Sequence, residues 1–116
     1  MKLFITAKGK NLNSKPDERF GRGEYFQIID SENEEIIEAK ENPFKQGAHG
    51  VGIKTSNYVI ENADIAIANK FGPKAAEVLK QAGIKMYITK GNTIREIVSN
   101  YKSNNLEKVE WLHALD

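Results

Sequence analysis

Three times in this chain an apolar extended run gives way to a small polar turn, and a helical pattern opens straight after it. The turns are Gly47-Ala48-His49-Gly50-Val51-Gly52, Asn69-Lys70-Phe71-Gly72-Pro73 and Lys90-Gly91-Asn92-Thr93. Strands that alternate with helices in this way are joined by crossovers, which restricts the chain to a sheet covered by helices. If the three preceding strands are parallel, all three helix starts fall along one sheet edge. Each start presents unpaired backbone N–H groups and the positive end of its dipole. Such an edge suits something anionic.

Residues 2–7 read as strand 1, and a long polar segment from Lys8 to Gly23 follows. Connections of that length inside compact domains are uncommon, and are either functional or disordered. Residues 25–29 and 35–40 read as strands 2 and 3 of a hairpin, rich in aromatic and β-branched residues. Asp30-Ser31-Glu32-Asn33 turns it, with Asn33 suited to a left-handed conformation. The charges of strand 3 suit a sheet edge.

From residue 42 the pattern changes to short strands between helices. Helix 1 is expected over residues 51–62 and a buried parallel strand over 64–68. Helix 2 is expected from Pro73 to Ala82, with Ala75, Ala76, Leu79 and Ala82 as a narrow stripe and Gly83 as its stop. Strand 5 takes 85–88. Helix 3 takes 93–102, where Ile94, Ile97, Val98 and Tyr101 repeat at helical spacing and Thr93 with Glu96 makes a capping box. Right-handed crossovers then order the strands 3-2-1-4-5. The expectation is a three-layer, ribonuclease H-like α/β fold, a mixed five-stranded sheet with helices on both faces. A crevice should open at the carboxyl ends of strands 1 and 4, on the edge that carries loops 8–23, 42–51, 69–72 and 89–93.

The 116 residues amount to a single domain, with a core over 1–102 and a tail over 103–116. Trp111, Leu112 and Leu115 in that tail allow two readings. They pack back on the domain as a last turn or strand, or they dock a second subunit as a homodimer. With no apolar run near the roughly 18 residues of a bilayer span, and a first strand where a signal peptide would lie, the expected place is the cytoplasm, away from membranes. No cysteine is present, which removes disulfides and Cys-ligated zinc or iron–sulfur sites. Lys and Arg number 17 against 16 Asp and Glu, a net +1 that argues against a nucleic-acid partner. The distribution is less even. Lys8, Lys10, Lys15, Arg19 and Arg22 crowd the first loop, and Glu32, Glu34, Glu35, Glu38 and Glu41 crowd the hairpin.

The candidate chemistry narrows by elimination. A two-metal nuclease needs converging carboxylates, normally one of them in the first strand. Strand 1 offers only Thr6 and Lys8, Glu77 and Glu96 sit on helix faces, and Asp30 and Asp64 read as lying at strand ends from which they do not converge. Nucleophilic catalysis lacks a legible Ser–His–Asp arrangement, with His49 and His113 the only histidines. Gly47, Gly50 and Gly52 do not match a dinucleotide loop. A non-enzymatic role follows, with a metal-dependent hydrolase as the weakest alternative. His49 sits among glycines before a helix, either as a metal or ligand contact or as an ordinary surface residue. Arg19 and Arg22, flanking Phe20 and Gly21, form either a fork for an anion or a solvated loop anchored by Phe20.

These residues also carry a resemblance. Arg19-Phe20-Gly21-Arg22-Gly23-Glu24-Tyr25-Phe26 resembles the His-Phe-Gly-Arg-Ala signature that precedes strand 2 in the dinitrogenase iron–molybdenum cofactor biosynthesis family. Asn42-Pro43, His49-Gly50-Val51-Gly52, Ala63-Asp64, Phe71-Gly72-Pro73-Lys74-Ala75, Ala82-Gly83-Ile84 and Gly91-Asn92-Thr93-Ile94-Arg95-Glu96 follow in the family's order. Arg19 departs from the signature histidine and Gly23 from its alanine. The resemblance implies a ribonuclease H-like carrier of iron–molybdenum cofactor or an iron–sulfur-type precursor cluster. A cluster donor or acceptor protein would be its partner, in nitrogen fixation or outside it. On that basis His49 becomes the metal ligand. Arg19, Phe20, Gly21, Arg22, Gly50, Gly52, Lys70 and Gly72 become the cofactor contacts. The alternative is a binding or regulatory module for a small anionic metabolite.

Overall fold

A computed structural model describes residues 1–109. Trp111, Leu112, His113 and Leu115, and the tail readings that rest on them, lie outside the described residues. The elements run β1 (Lys2–Ala7), β2 (Tyr25–Asp30), β3 (Glu35–Glu41), α1 (Val51–Asn62), β4 (Ile65–Ala68), α2 (Pro73–Gln81), β5 (Lys85–Ile88), α3 (Ile94–Lys102) and β6 (Glu107–Lys108). The sheet order is β3-β2-β1-β4-β5-β6. β1 pairs antiparallel with β2 and parallel with β4, and β4 pairs parallel with β5. β3, β1, β4 and β5 therefore point the same way, and their carboxyl ends share one edge.

The sheet has six strands, where the sequence predicted five. The sixth adds antiparallel to β5, with Tyr87 opposite Lys108 and Ile88 opposite Glu107. A strand of two residues is too short to carry a hydrophobic period, and only its pairing defines it. Leu106 is buried just before it, and the Val109 amide donates to the Met86 carbonyl at 2.9 Å.

Alternation along the strands divides the core between two faces. Phe4, Phe26, Ile28 and Ala66 face α1 and α2, meeting Val59, Ala76 and Leu79. Leu3, Ile5, Ile29, Ile65 and Ile67 face α3, meeting Ile94, Ile97 and Val98. The small-residue stripe of α2 works as expected through Ala75 and Ala76, but Ala82 is exposed because the helix ends at Gln81. Gly83, at φ 79°, stops it.

Two local details differ from the pattern reading. In the β2–β3 turn the left-handed residue is Glu34, at φ 55°, and not Asn33. Asp30 explains this: its Oδ1 accepts the Glu32 and Asn33 amides and its Oδ2 the Asn33 side chain, which leaves the reversal to the next residue. On β3 the register slips between Ile28 and Ile29, opposite Glu38 and Ile36, so Ile37 is an extra, bulged residue that is 52% exposed. A bulge and a run of glutamates are both devices that protect an edge strand from further pairing.

Candidate functional site

A hollow of about 740 Å³ opens at the carboxyl edge between the loop after β1, the start of α1 and the start of α2. It brings together Arg19, Phe20, Gly21, Arg22, Gly50, Gly52, Lys70 and Gly72 from segments far apart in sequence. Glu18, Val51, Ile53, Pro73, Lys74 and Ala75 complete the lining. His49 is exposed one residue ahead of Gly50 and is not part of that lining. Lys74 was open to sequence reasoning, since Pro73 marks the first helical position and the next residue must lie in the first turn.

Gly50 starts α1 in the left-handed region, at φ 68°, a conformation that glycine adopts without strain. The first bonds within the helices run from Lys54 to Gly50 and from Ala76 to Gly72, both at 2.9 Å. The amides of Val51, Gly52, Ile53, Lys74 and Ala75 thus have no acceptor inside their helices. No side chain caps either helix, and neither has an acid in its first turn.

The third helix start behaves differently, contrary to the expectation that all three would serve one site. Thr93 Oγ1 accepts the Glu96 amide at 3.2 Å and Glu96 Oε2 accepts the Asn92 amide at 2.9 Å, the predicted capping box. The Ile94 and Arg95 amides donate to the Ser14 and Leu12 carbonyls at 2.9 and 2.8 Å. With its donors spent on the first loop and its helix on the opposite face, α3 contributes nothing to the hollow.

The wall carrying Phe20 is set by Asp17, whose side chain is 2% exposed. Its carboxylate accepts the Arg19 amide, Arg19 Nε, Arg19 Nη2 and the Glu24 amide at 3.0–3.1 Å. Burial works against the charge of this group. The hydrogen bonds from the Arg19 side chain and from the two amides outweigh that, and they hold its carboxyl below the ordinary value. Arg19 therefore spends one edge of its fork on Asp17, with the Glu24 carboxylate 3.8 Å from Nη2, and more than half of its side chain stays exposed. Arg22 Nη1 donates to the Lys45 carbonyl at 3.1 Å, tying the wall to the loop before α1. Asn42 does the same from below, donating to the Gly21 and Gly23 carbonyls. The wall is legible in sequence, whereas Asp17, two residues ahead of Arg19, carries no local signal of its role.

Gly21 lies so close to α1 that an added Cβ would sit 3.3 Å from the Gly52 backbone. Gly23 is tighter: a Cβ there would stand 2.3 Å from Thr6 Cγ2 and 2.8 Å from the Arg19 carbonyl. Gly23→Ala is therefore expected to cost about 2 kcal/mol, read by urea denaturation. Thr6→Ser, which removes Cγ2, should recover part of that loss. Additive effects of the two changes would show that the clash is not what matters.

Asp30 and Asp64 were expected at non-converging strand ends, but both lie at the amino edge, one on each side of β1. Asp30 stands opposite Lys2, and Asp64 Oδ2 accepts the Lys2 amide at 2.9 Å. That edge is remote from the hollow. Among the described residues no group of three or more His, Cys, Asp or Glu is arranged to hold a metal ion. No helix among them is long and apolar enough to cross a membrane.

Fold and hollow together define a mixed α/β domain with a cationic, amide-lined depression at the carboxyl edge of its sheet. The chain belongs to the dinitrogenase iron-molybdenum cofactor family, which it matches over residues 1–104. An uncharacterised protein of Methanocaldococcus jannaschii is 39% identical over 102 residues, covering 84% of this chain and 86% of that one. The apo form of the orange protein from Desulfovibrio gigas superposes with a TM-score of 0.85 at 28% identity, over 93% of this chain and 92% of that one. A Thermotoga protein of the DUF35 family, solved by NMR, gives 0.76 at 35% identity over 92% and 91%.

Proposed function

We propose that this protein is a non-enzymatic carrier. In this reading it holds a polyanionic metal cluster, an iron–molybdenum cofactor or an iron–sulfur-type precursor, and passes it between a donor and an acceptor protein in the cytoplasm. The architecture we read as ribonuclease H-like. One observation carries the reading: two uncapped helix starts open into one hollow with lysines, not acids, around the α2 start. Lys74 sits in the first turn of α2 and Lys70 just before it. Positive side chains at a helix N-terminus oppose the helix dipole, by about 0.3–1 kcal/mol each. A fold has reason to keep them there if an anion arrives between them. The apolar floor of Phe20, Val51, Ile53 and Pro73 favours a large, weakly hydrated anion over a compact phosphate.

The fit is one of charge and amides. The chain has no cysteine, and His49, the one histidine among the described residues, stands just outside the lining, so the reading leans on charge and amides more than on direct ligation. One relative is the apo form of an orange protein, and for this chain we expect visible colour when a cluster is bound. The second reading, a module for a small anionic metabolite, draws on Arg19, which stands where the family signature has histidine.

Anaerobic titration with isolated iron–molybdenum cofactor, followed by visible absorbance, tests the proposal. Saturable binding that His49→Ala weakens supports a cluster carrier with an imidazole contact. Saturable binding unchanged by that substitution supports the carrier and removes His49 from it. Thermal stabilisation by phosphorylated metabolites, with none by clusters, overturns the carrier in favour of the second reading.

A further inference from the structure

The first half of the long loop, residues 8–15, takes no part in the hollow, yet it is held as firmly as a secondary-structure element. Lys8 N–H donates to the Lys15 carbonyl at 2.8 Å, and Ala7 bridges to Pro16. Asn11 Oδ1 accepts the Asn13 amide at 2.9 Å. Gln27, fully buried in β2, donates Nε2 to both the Gly9 and Asn11 carbonyls at 3.0 Å. The first amides of α3 bind the Leu12 and Ser14 carbonyls, and Arg95 Nε reaches Asn13 Oδ1 at 3.4 Å.

On this rigid base Lys8, Lys10, Lys15 and Arg95 are all exposed, and none of the four forms an ion pair with a described residue. Ion pairs among the described residues gather elsewhere, at Arg19 with Asp17 and Glu24, Lys45 with Glu24 and Glu41, and Lys102 with Glu34. A loop ordered while holding four cations without an acidic partner among the described residues has already lost the entropy that binding would otherwise remove.

We infer that the 8–15 loop and the start of α3 form a preorganised basic docking platform for an acidic face of a partner protein. The same loop continues as the wall of the hollow, so a partner seated on the platform would lie beside its mouth. This identification of the partner's chemistry rests on the carrier reading only for its purpose; the docking itself does not. A protein face is favoured over nucleic acid because the one aromatic at the platform, the half-buried Tyr25 ring, already lies under Lys10 Nζ, 5.8 Å from its centroid. The charge of the whole chain is also only +1, and the acidic hairpin arm would repel an extended polyanion.

The test uses an acidic holo-ferredoxin as model partner and the triple variant Lys8→Glu/Lys10→Glu/Lys15→Glu. The triple variant Lys8→Ala/Lys10→Ala/Lys15→Ala serves as a milder control for folding. Association is measured by calorimetry across salt concentrations, with a DNA duplex as competitor. The wild type should bind the ferredoxin with affinity that falls as salt rises. The reversal should weaken this about 10-fold or more and flatten the salt dependence. The alanine set should fall between. Cofactor titration of the reversal variant should match the wild type, which separates failure of docking from failure of the carrier reading. Equal ferredoxin binding by wild type and reversal, or none by the wild type, overturns the platform. Tighter binding of the duplex than of the ferredoxin at about 0.15 M salt overturns the partner class.

Discussion

Replacing Lys70 and Lys74 together by glutamate is expected to weaken binding of an anionic cluster about 100-fold, at one charge-assisted contact of about 1.5 kcal/mol for each lysine. The same substitution should leave the fold slightly more stable. Neither lysine pairs with a described acid, and α2 begins with no acid in its first turn. A glutamate at residue 74 complements the helix dipole where lysine opposes it, for a gain of about 0.3–1 kcal/mol. Anaerobic titration and thermal denaturation on the same sample read the two effects. A variant that loses stability along with binding would mean that the lysines serve the fold. Unchanged binding would mean that the ligand sits elsewhere.

Asp17→Ala is expected to lower stability by about 3 kcal/mol, seen as a fall of roughly 10 °C in Tm. The Arg19 and Glu24 amides lose a buried acceptor, and the Phe20 wall loses its tie. Released from Asp17, the Arg19 fork keeps only its longer 3.8 Å pair with the Glu24 carboxylate and can turn toward an anion, so cluster affinity need not fall in step with stability. The pH dependence follows from the sign of the shift. The folded carboxyl titrates below its unfolded value of about 3.9. Its contribution is therefore complete above that value and lost as pH falls through the lower, folded one. Acid titration of the wild type should show this loss below about pH 4. Asp17→Ala should show a shallower acid limb, and equal limbs would exclude Asp17 as the group responsible.

Lys70 and Lys74 could be found by reading because turn chemistry and helix starts are local. Pro73 places the helix start, Gly72 ends the turn, and any cation within two residues of that point faces the dipole. Asp17 could not be found that way. Its carboxylate matters because the chain folds back to bring the Glu24 amide to it, across seven residues with no periodic signal. His49 is a different case. Its glycine neighbours and its place before a helix mark a functional loop, yet the side chain stands outside the lining of the hollow.

By itself, the order of residues determined which segments become strands and helices, and the edge on which the loops gather. Hydrophobic period, caps and turn residues act within a few positions of one another, and successive parallel strands leave little choice of edge. Tertiary structure alone decided which helix starts remain open. α1 and α2 keep their amides for the hollow, while α3 gives its own to the Leu12 and Ser14 carbonyls on the other face. That choice depends on where an eighty-residue separation closes in space, which no local pattern encodes. The sixth strand has the same origin: two residues become a strand only because the exposed edge of β5 offers them unpaired backbone partners.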